Sequence, residues 1–169
     1  MSRLITIFTF LLTLTQLVSR GYGGEGYVYI DDHIILNIPQ GMTIDNSSAR
    51  PYSVAFMFNG DEDLIRGEIS IVAKPYGGGS SLDAVWERVR PFFVRGMDIE
   101  YEREEHFAGS RWKIVSGSVV LAMFRVRNTL SYTIYDNSVQ CIFQYNCPAT
   151  NCFELEENYN EIKKTLNFR

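Results

Sequence analysis

Only two stretches of this chain keep a helical period, and nearly everything around them alternates. In SSLDAVWERVRPFF, residues 80–93, the side chains of Leu82, Val85, Trp86 and Val89 recur at i, i+3, i+4 and i+7 and so line one helical face. From about Cys152 to Leu166 the positions Leu155, Tyr159, Ile162 and Leu166 repeat the spacing. Before, between and within reach of these two segments the pattern is that of strands: GEISIVAKP sets Ile69, Ile71 and Ala73 against Glu68, Ser70, Val72 and Lys74. A chain ordered as strands, helix, strands, helix must make a sheet and use the helices to cover its apolar faces. The expected class is α+β, a mainly antiparallel sheet in a layered sandwich.

The breakers divide the strands. YVYIDDHIILNIP reads as a strand pair interrupted at Asp31-Asp32 and closed by Pro39-Gln40-Gly41, and GYGGEG before it as a flexible arm. The polar run from Asp45 to Arg50 reads as a loop, followed by a strand in SVAFMFNGDED. DIEYEREEHFAGSRWKIVSG predicts two strands joined near Ala108-Gly109, and SVVLAMFRVRNTLSYTIYDNSVQCIFQYN further strands with a hairpin at Asp136-Asn137. Ser80 with Asp83 predicts a capping box for the first helix, which Pro91 ends or kinks; Asn151 with Glu154 predicts a cap for the last.

At the start, Arg3 followed by the apolar run Leu4 to Leu14 has the form of a signal peptide, too short to span a bilayer. Small residues at Ser19, Gly21 and Gly23 offer cleavage positions, so residues 1–21 are expected to be a leader and 22–169 one globular domain. That domain is long enough to bury a core. The whole chain carries a formal charge of −4, and removing Arg3 and Arg20 makes it more acidic. Such a balance argues against nucleic acid as a partner. No second apolar span follows the leader, so no membrane anchor is expected once it is removed, and the expected location is the periplasm or the medium.

Four segments together resemble the PsbP-like (Mog/PsbP) superfamily: ILNIPQGM at 35–42, RWKIVSG at 111–117, TLSYTIYDN at 129–137 and YNEIKKTLNF at 159–168. They occur in order over most of the expected domain. The resemblance implies an α/β/α sandwich used as a binding or assembly scaffold. It carries no catalytic residues onto this sequence, because the pattern is one of fold.

The three cysteines, Cys141, Cys147 and Cys152, crowd into CIFQYNCPATNC. An exported chain matures where thiols pair. Zinc is the competing use, but the spacings lack a C-x2-C knuckle and only His33 and His106 could complete a ligand set. If residues 139–146 form a strand, Cys141 and Cys147 lie about 20 Å apart, beyond the roughly 7 Å Cα limit of a bridge. Cys147 and Cys152 flank a short Pro-Ala-Thr-Asn connection that can turn back, and a bridge there is worth about 2 kcal/mol by loop-closure entropy. Cys141 is then a buried free thiol, with a redox or intermolecular role as the sharper alternative.

In DIEYEREEH, alternation puts Asp98, Glu100, Glu102, Glu104 and His106 on one strand face. Such a ladder could meet a basic partner or a hard cation, or it could guard an edge strand against aggregation. YGGGSS at 76–81 lacks the ending of a phosphate loop and reads as a connection. The two histidines stand beside no nucleophile motif, and Trp86 and Trp112 read as core. The expectation is therefore a non-catalytic binding or assembly-accessory protein without cofactor or metal, acting on a protein partner. The alternative is a periplasmic immunity or inhibitor protein that sets its acidic strand against a basic toxin or enzyme.

Overall fold

Strands adjacent in sequence become antiparallel neighbours in space through most of this fold. The structure, a computed structural model, describes residues 21–22, 27–30, 34–49, 52–59, 67–121, 124–149 and 152–169. The elements are β1 (Gly21–Tyr22), β2 (Tyr27–Ile30), β3 (Ile34–Asn37), β4 (Met42–Ala49), β5 (Tyr52–Asn59), β6 (Glu68–Pro75), α1 (Leu82–Phe93), β7 (Met97–Phe107), β8 (Ser110–Leu121), β9 (Phe124–Tyr135), β10 (Val139–Pro148), α2 (Phe153–Thr165) and β11 (Asn167–Phe168). Among the described residues they form an eight-stranded sheet in the order β1-β4-β5-β6-β10-β9-β8-β7 and a three-stranded sheet in the order β11-β3-β2. Every pairing is antiparallel. The α+β class follows directly.

Helix α1 lies on one face of the large sheet. Val85 and Trp86 pack with Val115, Leu130 and Tyr132, and the rings of Trp86, Phe93 and Tyr132 meet at 5.8–6.1 Å. The other face carries α2 and the small sheet: Leu155, Tyr159, Ile162 and Leu166 pack with Ile34, Leu36, Ile69, Ile71, Phe143 and Tyr145. Tyr159 stacks on Phe143 at 4.2 Å and shares a hydrogen bond of 2.6 Å with Ser131. Burial without that partner would strand a hydroxyl in an apolar layer. The chain end is held by aromatic stacking, Phe168 lying between Trp112 and Tyr135.

Several local expectations change. The polar run Asp45 to Ala49 is strand β4, paired residue by residue with β5; pairing along the whole neighbour overrides a polar composition. Gly21 and Tyr22 of the expected arm pair with Ile44 and Thr43. The cap of α1 is Ser81, not Ser80: its Oγ accepts from the Ala84 N–H at 3.3 Å, while Asp83 turns to Lys113 and Arg111. Pro91 sits inside the helix, which runs two residues further before the Val94 N–H closes on the Arg90 carbonyl. Cys152 stands at the N-cap of α2 with no side-chain cap bond. Asn151, His33, Arg50 and residues 1–20 of the expected leader 1–21 lie outside the described residues.

Candidate functional site

The antiparallel register sends each connection to one of two ends of the large sheet. At one end lie Ala108-Gly109 between β7 and β8, Asp136-Asn137 between β9 and β10, and the 76–81 segment. At the other lie the link from β8 to β9, the turn from α1 into β7, and the passage from β10 into α2. The first end has ordinary turn chemistry: Asp136 and Asn137 adopt φ of 46° and 52°, the left-handed region that hairpin turns require.

The second end carries the exposed apolar side chains. Among the described residues the exposed large hydrophobics are Phe92 (80% exposed), Ile99 (39%), Val120 (63%), Phe124 (72%) and Phe153 (74%), and all belong to it. Phe92 stands in the last turn of α1, from which the Val94 carbonyl bonds to Met97, opposite Val119. Val120 pairs with Arg125 and Phe124 with Leu121 at the tip of the β8–β9 hairpin. Phe153 opens α2 just after β10, where the Ala149 N–H bonds to the Arg125 carbonyl. Isolated surface hydrophobics are ordinary, whereas here they collect at one end of the sheet. The sequence signal was VVLAMF at 119–124, an apolar run crossing a hairpin with no Gly, Asn, Asp or Pro.

The acidic set expected on one face is divided. Ile99 pairs with Gly117 and Tyr101 with Ser116, so Glu100 is an extra residue, a β-bulge. The bulge flips the alternation. Asp98 and Glu100 stand on the α2 side, where Arg125 approaches Asp98 at 3.9 Å and Arg127 bonds Glu100 at 2.6 Å and reaches Glu156 of α2 at 4.0 Å. Glu102, Glu104 and His106 stand on the α1 side. There Arg90 grips Glu102 with two nitrogens, its Nε at 2.9 Å from Oε2. Asp83 and Glu104 share Lys113 and Arg111, binding the first turn of α1 to β7 and β8. His106 is exposed opposite Arg111. Between them, Glu105 pairs with Arg103 and with Lys163 of α2.

The carboxylates are therefore occupied by the protein's own cations. Hydrogen bonds from Arg90 hold Glu102 below the usual carboxylate range, those from Lys113 hold Glu104 low, and those from Lys113 and Arg111 do the same for Asp83. Partial burial pulls Lys113 down, but hydrogen bonds to Asp83 and Glu104 outweigh it and leave it raised. As the outermost strand of the sheet, β7 shows the charged, bulged form that discourages edge-to-edge pairing. Among the described residues no group of three or more His, Cys, Asp or Glu is placed to hold a metal ion.

The cysteines lie apart from this chemistry. Cys147 and Cys152 form a disulfide with a Cα–Cα distance of 5.4 Å, tying the end of β10 to the start of α2. Cys141 is free and buried beneath α2, and burial pushes its thiol well above the usual range, which suits packing and not nucleophilic work.

No protein-family model matches this chain, and no curated protein sequence matches it. Solved structures do. It superposes on LpqN of Mycobacterium tuberculosis, described as involved in cell envelope biogenesis, with a TM-score of 0.64 at 14% identity, covering 86% of this chain and 90% of that one. A Bacteroides thetaiotaomicron protein gives 0.61 at 12% identity over 86% of this chain, which spans 49% of that longer chain. The cyanobacterial PsbP of Synechocystis, CyanoP, gives 0.51 at 8% identity, covering 87% and 98%. The fold is PsbP-like. At these identities the likeness is one of architecture: a sheet between α1 on one side and α2 with the small sheet on the other.

Proposed function

We propose that this is an exported, non-catalytic binding or assembly-accessory protein of the cell envelope, and that its contact surface is the apolar end around Ile99, Val120 and Phe124. The observation that carries the reading is the collection of exposed large hydrophobics at that end. The charged side chains of β7, by contrast, are used to fasten the strand to both helices and to β8 and β9. Export is supported by the leader-like first residues and by the Cys147–Cys152 disulfide, a bond of oxidising compartments. The envelope role of a protein with the same fold, LpqN, points the same way. The alternative, an acidic strand gripping a basic toxin or enzyme, would require breaking the pairs that hold Glu100, Glu102 and Glu104.

Cell fractionation tests the reading. The protein carrying Val120→Asp and Phe124→Asp should move from the envelope fraction to the soluble exported fraction, with an unchanged melting temperature. Equal retention of the wild type and the double variant, or no envelope retention of either, would remove it.

A further inference from the structure

We propose that the β8–β9 end seats on a phospholipid bilayer, inserting Val120 and Phe124 among the lipid chains with Arg125 and Arg95 at headgroup level. This rests on the reading of that end as the contact surface and names what it contacts.

The first reason is the distribution of the side chains. Successive strand residues point to opposite faces, so Val120, two positions beyond Ser118, stands on the α2 side. Phe124, in step with Leu130 and Tyr132, stands on the α1 side together with Ile99. The hairpin end is thus apolar on both faces. A protein partner docked on the sheet would meet one face and leave the other in water. A fluid apolar phase meets both, as with a wedge pushed into it.

The second reason is charge. Arg125 follows Phe124 directly and its side chain is 58% exposed, with Asp98 only at 3.9 Å. Arg95 is exposed in the turn from α1 to β7, on the far side of the same end. Arginines just behind an apolar tip are placed for phosphate oxygens, while phenylalanine enters the boundary region. Asp98 and Glu100 offset much of the positive charge here. The expected preference for anionic lipid is accordingly modest, with apolar contact supplying most of the affinity. No helix among the described residues is long and apolar enough to cross a membrane, and the contact proposed is interfacial.

Vesicle flotation of the purified, disulfide-bonded protein tests this. It should float with phosphatidylcholine vesicles and somewhat better when phosphatidylglycerol is added. Val120→Asp with Phe124→Asp should weaken binding at least about tenfold on both, since two apolar insertions are lost. Arg125→Glu should abolish only the gain from phosphatidylglycerol. In a Phe124→Trp variant the fluorescence emission should shift to the blue on adding vesicles, because the native Trp86 and Trp112 are already buried. Absence of flotation, equal binding by the double variant, or an unmoved emission maximum in the Phe124→Trp variant would overturn the proposal. So would a dimer in sedimentation that the double variant dissolves, which assigns the end to a second copy. If vesicles are ignored while the double variant still leaves the envelope fraction in cells, the lipid proposal fails and the binding reading stands.

Discussion

Gly117 lies so close under Asp98 that a Cβ there would overlap the Asp98 carbonyl oxygen, and would also stand 3.0 Å from the Cα of Ile99. This approach accompanies the bulge that sends Glu100 to Arg127 and turns Glu102 toward Arg90. Gly117→Ala should force β7 away from β8 and destabilise the protein by about 1–3 kcal/mol, the usual range for overpacking. Urea denaturation reads it as a lower midpoint. An unchanged midpoint would mean that the two strands part without cost.

The bridge between Cys147 and Cys152 closes a short loop at the entry to α2. Replacing both with Ser should lower stability by about 2 kcal/mol through the freed unfolded chain. Mass spectrometry of the non-reduced protein should show these two joined, with Cys141 alkylated only after unfolding because it is sealed in the core. Native-state alkylation of Cys141 would place it at the surface.

Tyr159 buries its hydroxyl against Ser131 under α2. Tyr159→Phe keeps the stack on Phe143 but leaves the Ser131 hydroxyl without that partner, a loss of about 1–3 kcal/mol. Tyr159→Phe with Ser131→Ala should recover part of it. Thermal unfolding of the three variants checks the coupling.

Stability should fall on both sides of neutrality. Glu102, Glu104 and Asp83 have depressed folded pKa values, so their contribution is present above the ordinary carboxylate range and is lost as pH drops below about 4.5 and through the folded values. On the alkaline side burial raises the Cys141 thiol well above its usual range and pushes the Tyr132 hydroxyl up to about 12, so both stay protonated when the unfolded groups ionise. Stability is therefore lost as pH rises past about 8.5 for the thiol and 10 for the phenol. Chemical denaturation across pH should show a plateau between these limits. A curve still rising above pH 10 would contradict the burial of both groups.

The period of the side chains made α1, α2 and the buried sets Ile69, Ile71, Ala73 and Leu155, Tyr159, Ile162, Leu166 legible, because each depends on local spacing. The division of the acidic set was not legible. Ile99 and Tyr101 continue a perfect alternation in sequence, and the bulge between them accompanies an approach to Gly117, eighteen residues after Ile99 in the chain. Strand β4 was hidden for a similar reason, its polar residues being held by pairing with β5. The apolar end was visible as VVLAMF, yet an unbroken apolar run reads as one strand and hides the change from β8 to β9.

Photocrosslinking in living cells tests the central claim most directly, by comparing a photoreactive side chain at position 124 with one at position 136, at opposite ends of β9. The account predicts envelope adducts from position 124 and none from position 136. Adducts from position 136 with none from position 124 would contradict it.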